Sequence, residues 1–268
     1  MLLDAVQVKD LYSLLCNWGH SVDIDVLYMG TPWQGLQEVS PCLVSLNGPS
    51  AEALAEFIAH REQRWGYLLF SDAPWKELLA HLRWLATLKH PGGQPFLVKL
   101  ADPRVAHALF HDIGQADAIT FGPCQHVIAA TGDEALWHQY TRPETLTETP
   151  PDYSTPYPLN DLQWQAFEAV SAQRKLDDLT AHLQRVFPGR TAAAGIRGQV
   201  EHGLSLGLTS ERQIWQFLNL SVLIGHHTVD PTSELFDLIR TDAPIPFAQS
   251  LQRCQFLAEQ LAATSIEP

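Results

Sequence analysis

RWGYLLFSDAPWKELLAHLRWLATLKHPGGQPFLVKLADPR, residues 64–104, decides the fold. Its two ends, residues 65–71 and 95–100, are short apolar runs rich in aromatic and branched side chains and bounded by turn formers, which is strand chemistry. Between them Trp75, Leu78, Leu79, Leu82 and Leu85 recur at three- and four-residue steps, so they share one face of a helix. Strand, helix and strand in that order predict a βαβ unit with a right-handed crossover, since a parallel pair needs a connection of about a dozen residues. An antiparallel return is the alternative.

Upstream of this unit, residues 2–6 predict a first strand. Residues 9–18 predict a helix with Leu11, Leu14 and Leu15 inward and Gly19 at its end. SVDIDVL, residues 21–27, alternates apolar and acidic side chains, which predicts a strand whose solvent face carries Asp23 and Asp25. Residues 42–46 predict another strand and 47–50 a turn. Ser50 caps a helix over 51–61 with Leu54, Phe57 and Ile58 inward. Downstream, Asp102-Pro103 is a helix start, an acceptor side chain followed by proline at the first helical position. That helix places His107 and His111 on one face, but no third ligand accompanies them and no metal site is predicted. Phe121-Gly122-Pro123 predicts a turn and residues 125–129 a last strand. Residues 1–132 therefore read as an α/β lobe, a mixed or parallel sheet of about six strands with flanking helices.

TRPETLTETPPDYSTPYPLND, residues 141–161, is dense in proline, threonine and acids and has no apolar period, so residues 133–159 read as a linker. Residues 160–268 read as an all-α lobe. Leu176, Leu179, Leu183 and Val186 fall at helical steps and stop at Pro188-Gly189. Helices over 191–206, around Ile214, Leu218 and Val222, over 233–240 and over 247–261 follow, joined by short turns.

Composition narrows the function. Of 268 residues 46% are hydrophobic and 18% charged, which is globular rather than disordered. A formal charge of −13, with the acidic excess spread over both halves, excludes nonspecific binding to nucleic acid or anionic membrane, which rests on clustered Lys and Arg. The four cysteines lie far apart with no CxxC, so they read as reduced thiols rather than a zinc knuckle or a disulfide framework. Residues 1–10 lack the basic region of a signal peptide, and no apolar run approaches the roughly 18 residues of a membrane span, so the expected location is cytoplasmic.

Gly203-Leu204-Ser205-Leu206-Gly207 matches the G-x-S-x-G of serine hydrolases, and a small α/β hydrolase using Ser205 is the alternative reading. That chemistry needs the serine on a sharp turn between a strand and a helix. Here the pentapeptide closes a helix, with Gly207 suited to the left-handed closing position and Ser210 with Gln213 opening the next helix as a capping box. There is no glycine-rich phosphate cradle. No catalytic residue, metal or cofactor is assigned, and the chain is read as not an enzyme.

LLDAVQVKDLYSLL (2–15), RWGYLLFSD (64–72), FLVKLADPRV (96–105), FGP (121–123) and GLTSERQIWQFLNLSVLIG (207–225) with Asp230-Pro231 behind it resemble, in that order, a bacterial family. It is the adaptor chaperones that load toxic effectors onto the VgrG spike of type VI secretion systems, formerly a conserved domain of unknown function. The resemblance covers nearly the whole chain. It implies an α/β lobe followed by a helical lobe, and a non-enzymatic cytoplasmic adaptor whose partners are a secreted effector, held by its N-terminal segment, and the VgrG spike. The short connection over 114–120 departs from the family pattern.

Such a protein needs an exposed apolar surface for its client. Trp18, Trp33, Trp75 and Trp137 sit near predicted element ends, where exposure is expected more than for Trp65 or Trp215. Arg64, Trp65, Asp72, Trp75, Asp102 and Arg104, at the ends of the two central strands, form the expected partner-binding set. An immunity-like protein that neutralises a toxin without touching the spike is a further alternative.

Overall fold

A computed structural model of the chain describes residues 1–18, 23–46, 52–111, 118–131, 136–144, 152–186, 193–208, 210–224 and 239. In chain order the first unit holds β1 (Leu2–Leu3), α1 (Leu11–Asn17), β2 (Ile24–Val26), β3 (Cys42–Val44), α2 (Glu52–Ala59), β4 (Gly66–Phe70) and α3 (Trp75–Leu85). There follow β5 (Thr87–Lys89), β6 (Pro95–Leu97), α4 (Pro103–Phe110), α5 (Ala118–Phe121), β7 (His126–Thr131), β8 (Leu136–Thr141) and β9 (Tyr157–Pro158). Three helices complete the described elements: α6 (Asp161–Val186), α7 (Ala193–Ser205) and α8 (Glu211–Ile224). The chain divides into two compact units, Met1–Val170 and Ser171–Pro268, with α6 running through the boundary.

The main sheet has six strands in the order β2-β3-β1-β4-β7-β8, and every neighbouring pair is antiparallel. The α/β lobe with a helical continuation is borne out, and so is the strand count. The mixed or parallel arrangement expected of that sheet is not, since its ladders are all antiparallel, and neither is the βαβ unit. Strand β4 lies between β1 and β7, and residues 95–97 belong to a separate three-stranded sheet in the order β6-β5-β9. The reason is local. Helix α3 runs straight into β5, and His90-Pro91-Gly92-Gly93 then turns the chain back as a hairpin, with the Gly93 N–H on the His90 carbonyl at 2.7 Å and the His90 N–H on Gln94 at 2.9 Å. Thr87 pairs with Leu97 and Lys89 with Pro95, so β6 satisfies its ladder on β5 and never returns to β4.

The residues expected as a linker supply two strands. β8 pairs along its whole length with β7, Thr131 opposite Leu136 through His126 opposite Thr141, and Tyr157 pairs in parallel with Leu88. Proline and threonine density therefore does not mark a gap between lobes here. Residues 152–158 lie against the α/β core, anchored by buried Tyr157 and Leu159.

Both faces of the main sheet are covered, which accounts for the continuous apolar run of β4 and of β3. Successive side chains of a strand point to opposite faces. Leu2, Leu43 and Tyr67 accordingly pack with Leu82, Leu85, Leu100, Val105 and Phe121 beneath α3 and α4, while Leu3, Cys42 and Val44 pack with Leu11, Leu15, Phe57 and Trp65 beneath α1 and α2. Each fully buried Leu or Phe in these layers contributes about 1.5–3 kcal/mol. The inward set of α2 is narrower than expected: Phe57 is buried, whereas Ile58 faces solvent. Asp102 caps α4 as read, its carboxylate accepting the Arg104 N–H at 2.9 Å.

In the second unit Leu179, Leu183, Ile196, Leu208, Phe217, Leu218 and Leu220 form the core of α6, α7 and α8. The GLSLG reading holds. Ser205 ends α7 with its hydroxyl on the His202 carbonyl at 2.7 Å, Gly207 adopts φ 85°, and Ser210 and Gln213 exchange the two capping-box bonds at 3.0 and 3.2 Å. The helix end at Gly19, the turn over 47–50 with its Ser50 cap, most of the connection over 114–120, the stop at Pro188-Gly189, Asp230-Pro231, and the helices over 233–240 and 247–261, apart from Ile239, lie outside the described residues.

Candidate functional site

Helix α3 buries one face and leaves a second for the surface. Leu78, Leu79, Leu82 and Leu85 face the core, while Trp75, Lys76, Ala80, Arg83 and Trp84 line a groove of about 730 Å³ along the helix. Its opposite walls are Asp25 with residues 30–32, and residues 153–156. All of this belongs to the first unit.

Each wall is pinned by a polar bond from an aromatic or cationic side chain. The Trp75 indole N–H donates to the Asp25 carboxylate at 2.6 Å, and the Trp84 indole N–H donates to the Thr155 carbonyl at 2.6 Å. Arg83 Nε donates to the Leu27 carbonyl at 3.0 Å, and the Trp33 indole to the Thr87 hydroxyl at 2.7 Å. Trp84 meets Tyr153 edge-on at 5.4 Å and Tyr157 at 5.5 Å. Edge-to-face packing of this kind contributes about 0.5–1.5 kcal/mol beyond burial. Asp23 is exposed as expected, but Asp25, expected beside it on a plain solvent face, is a groove residue, and the intervening Ile24 is exposed as well.

Behind the groove runs a buried polar chain. His81, fully enclosed, holds the Thr120 carbonyl through Nε2 at 2.9 Å, and the Thr120 hydroxyl donates to Tyr157, which in turn pairs with Gln163. Burial drives the His81 pKa down to about 4; the Thr120 carbonyl opposes this and Arg142 adds to it. A neutral imidazole at this point locks α3 to the turn of residues 121–123 and to the 153–158 wall.

The six residues expected to bind a partner do not form one cluster. Trp75 alone lines the groove. Trp65 is buried, stacked on His60 at 4.1 Å, with its indole N–H on Gln63. Arg64 precedes β4 in a left-handed conformation, φ 56°, whereas Asp72 lies exposed beyond the other end of that strand, accepting from Gln125 at 3.2 Å. Asp102 and Arg104 bind each other, the guanidinium Nη2 standing 2.9 Å from the carboxylate. The nearby Asp4 pKa is raised, chiefly by burial, with the charge of Asp102 adding to it. Arg64, Trp65, Asp102 and Arg104 therefore sit toward one end of β4, and Asp72 and Trp75 toward the other.

Among the tryptophans expected near the surface, Trp137 is exposed and Trp33 and Trp75 are half-buried. Trp18 is buried, its indole N–H donating to Glu56 at 2.8 Å. The sequence reading missed Trp84, Arg83 and Tyr153. A signal existed: Trp84 falls off the leucine face of α3.

His107, His111 and His138 gather around Tyr140, with His107 Nδ1 2.8 Å from the Tyr140 hydroxyl and the rings of His107 and His111 4.5 Å apart. Among the described residues no three His, Cys, Asp or Glu side chains are placed to hold a metal ion. No described helix is long and apolar enough to cross a membrane.

The chain is similar to a known protein over most of its length. The chain is 25% identical over 232 residues, 84% of its length and 75% of the relative's, to the accessory protein VasW of Vibrio cholerae serotype O1 (strain ATCC 39315 / El Tor Inaba N16961). No solved structure matches it. Residues 1–118 match the family described as "Domain of unknown function (DUF4123)", which with the VasW similarity bears out the family resemblance read from the sequence.

Proposed function

We propose that this chain is a cytoplasmic, non-enzymatic accessory protein of type VI secretion, an adaptor that binds a secreted effector and promotes its loading onto the VgrG spike. The observation that carries the reading is the groove along α3. It offers Trp75, Trp84 and Tyr153 as apolar contact surface together with Asp25, Lys76 and Arg83 as polar anchors, the mixture that recurs where a polypeptide segment is held. The client is the N-terminal segment of the effector. The similarity to an accessory protein supports the same reading. The Ser205 hydroxyl, spent on its own helix end, gives no support to a hydrolase.

The test is affinity purification of the full chain from cells expressing the secretion system, followed by mass spectrometry. Recovery of both an effector and the spike protein is expected, and Trp75→Ala together with Trp84→Ala is expected to lose the effector. Recovery of neither partner overturns the adaptor, and recovery of an effector without the spike favours the toxin-neutralising alternative.

A further inference from the structure

The edge strands of the two sheets are unequal. β2 closes one side of the main sheet with three residues and carries Asp25. In the small sheet β6 begins with Pro95, and β9 has two residues, one of them Pro158. Shortness, charge and proline are the means by which proteins stop an edge from recruiting another strand. β8, Leu136-Trp137-His138-Gln139-Tyr140-Thr141, has six residues, no charge, no proline and no glycine. Among the described residues its only ladder is the one to β7.

The register shows which groups face outward. The Arg142 N–H donates to the Gln125 carbonyl at 2.9 Å, continuing the pairing of Thr141 with His126. Inward bonding alternates along an antiparallel strand. Trp137, Gln139 and Thr141 therefore direct their N–H and C=O groups away from β7. Leu136 is 56% and Trp137 38% exposed, and Trp137 leans on Phe57 at 6.0 Å while Tyr140 and the three histidines occupy the other side. An incoming strand would find side-chain cover on both of its faces.

We infer that the outer edge of β8 is a docking site for an extended segment of a partner protein, added as a seventh strand. Among the described residues no ladder occupies these alternating donors and acceptors, and an added strand pairs with all of them in register. A second copy of this chain brings another net charge of −13 and is repelled, so the segment is a neutral or basic one from a different protein. The inference requires only a partner that supplies a strand, so it stands or falls apart from the adaptor reading.

The probe is a synthetic twelve-residue peptide of alternating Val and Thr flanked by Lys, added to the full chain while amide hydrogen exchange is followed. The expected result is at least tenfold slower exchange at Trp137, Gln139 and Thr141, lost in Gln139→Pro, which removes an outward donor without touching the β7 ladder. Gln139→Lys, which blunts the edge without a backbone change, gives the same loss should the proline variant fail to fold. No slowing at millimolar peptide, equal slowing by a Glu-flanked peptide, or a chain already dimeric with these amides protected would each overturn the inference.

Discussion

Gly122 turns at φ 53° directly against the ring of His81 and leaves no space there for a β-carbon. The ring cannot retreat, because it is buried and held to the Thr120 carbonyl one turn of chain away. Gly122→Ala combines a left-handed strain with overlap on an enclosed side chain. The expected cost is about 2–4 kcal/mol in urea unfolding. Gly35→Ala, where a β-carbon meets nothing within 4 Å, is expected to stay within about 0.5 kcal/mol of the parent and serves as the control.

The same histidine sets a pH dependence. Its folded pKa, about 4, lies below the value near 6.5 of a free imidazole, so the unfolded chain takes up a proton that the folded chain refuses. The contribution is present in full above pH ~6.5 and is lost as pH falls toward about 4. It amounts to on the order of 3 kcal/mol across that window. His107 and His182, also lowered first by burial, act in the same direction. His81→Gln should unfold more easily at neutral pH yet show a flatter loss of stability from pH 6.5 to 4. An unchanged slope in the variant would mean that the ring is wet in solution.

Removing the groove's rings tests recognition separately from folding. Trp75 and Trp84 are half-buried against the rim of the core, and Leu78, Leu79, Leu82 and Leu85, which hold α3 to it, remain in place when the two rings are removed. Trp75→Ala with Trp84→Ala should weaken effector binding at least tenfold, about 1.4 kcal/mol, with a cooperative melt retained. Trp84→Phe is the finer probe. It keeps a ring beside Tyr153 and Tyr157 but deletes the donor to Thr155, so a loss of binding in this variant assigns the effect to the position of the 153–156 wall.

What the sequence made legible follows from where the determinants are local. The leucine stripe of α3, the Asp102-Pro103 start of α4 and the Ser210–Gln213 box are written within a few adjacent residues, and each formed as read. Strand pairing is not local. The choice between returning to β4 and folding back on β5 was made by His90-Pro91-Gly92-Gly93, whose hairpin signal was present but outweighed by the length of the helix before it. β8 and β9 were hidden by neighbours rich in proline, threonine and acids, since composition averages over a window longer than a strand. The groove was half legible: Trp75 stood at an element end, but its wall of residues 153–156 lies about seventy residues downstream of Trp84, a contact no period reveals.

The Asp102–Arg104 pair separates a structural role from a binding one. The Asp102 carboxylate accepts the Arg104 backbone N–H at the start of α4 and also the Arg104 guanidinium, so one side chain both caps the helix and holds the cation in place. Asp102→Ala removes the cap and is expected to cost about 1–2 kcal/mol in a urea or thermal melt. Arg104→Ala leaves the cap bond intact, since that bond comes from the backbone, and should cost under about 1 kcal/mol. The two variants therefore diverge if the pair serves the fold alone: the first lowers stability, the second little, and neither changes partner capture at a temperature where both are folded. If Arg104→Ala instead loses the effector or the spike with its melt unchanged, the guanidinium is a partner contact, and the end of β4 bearing Arg64 and Arg104 is a second binding face beside the groove.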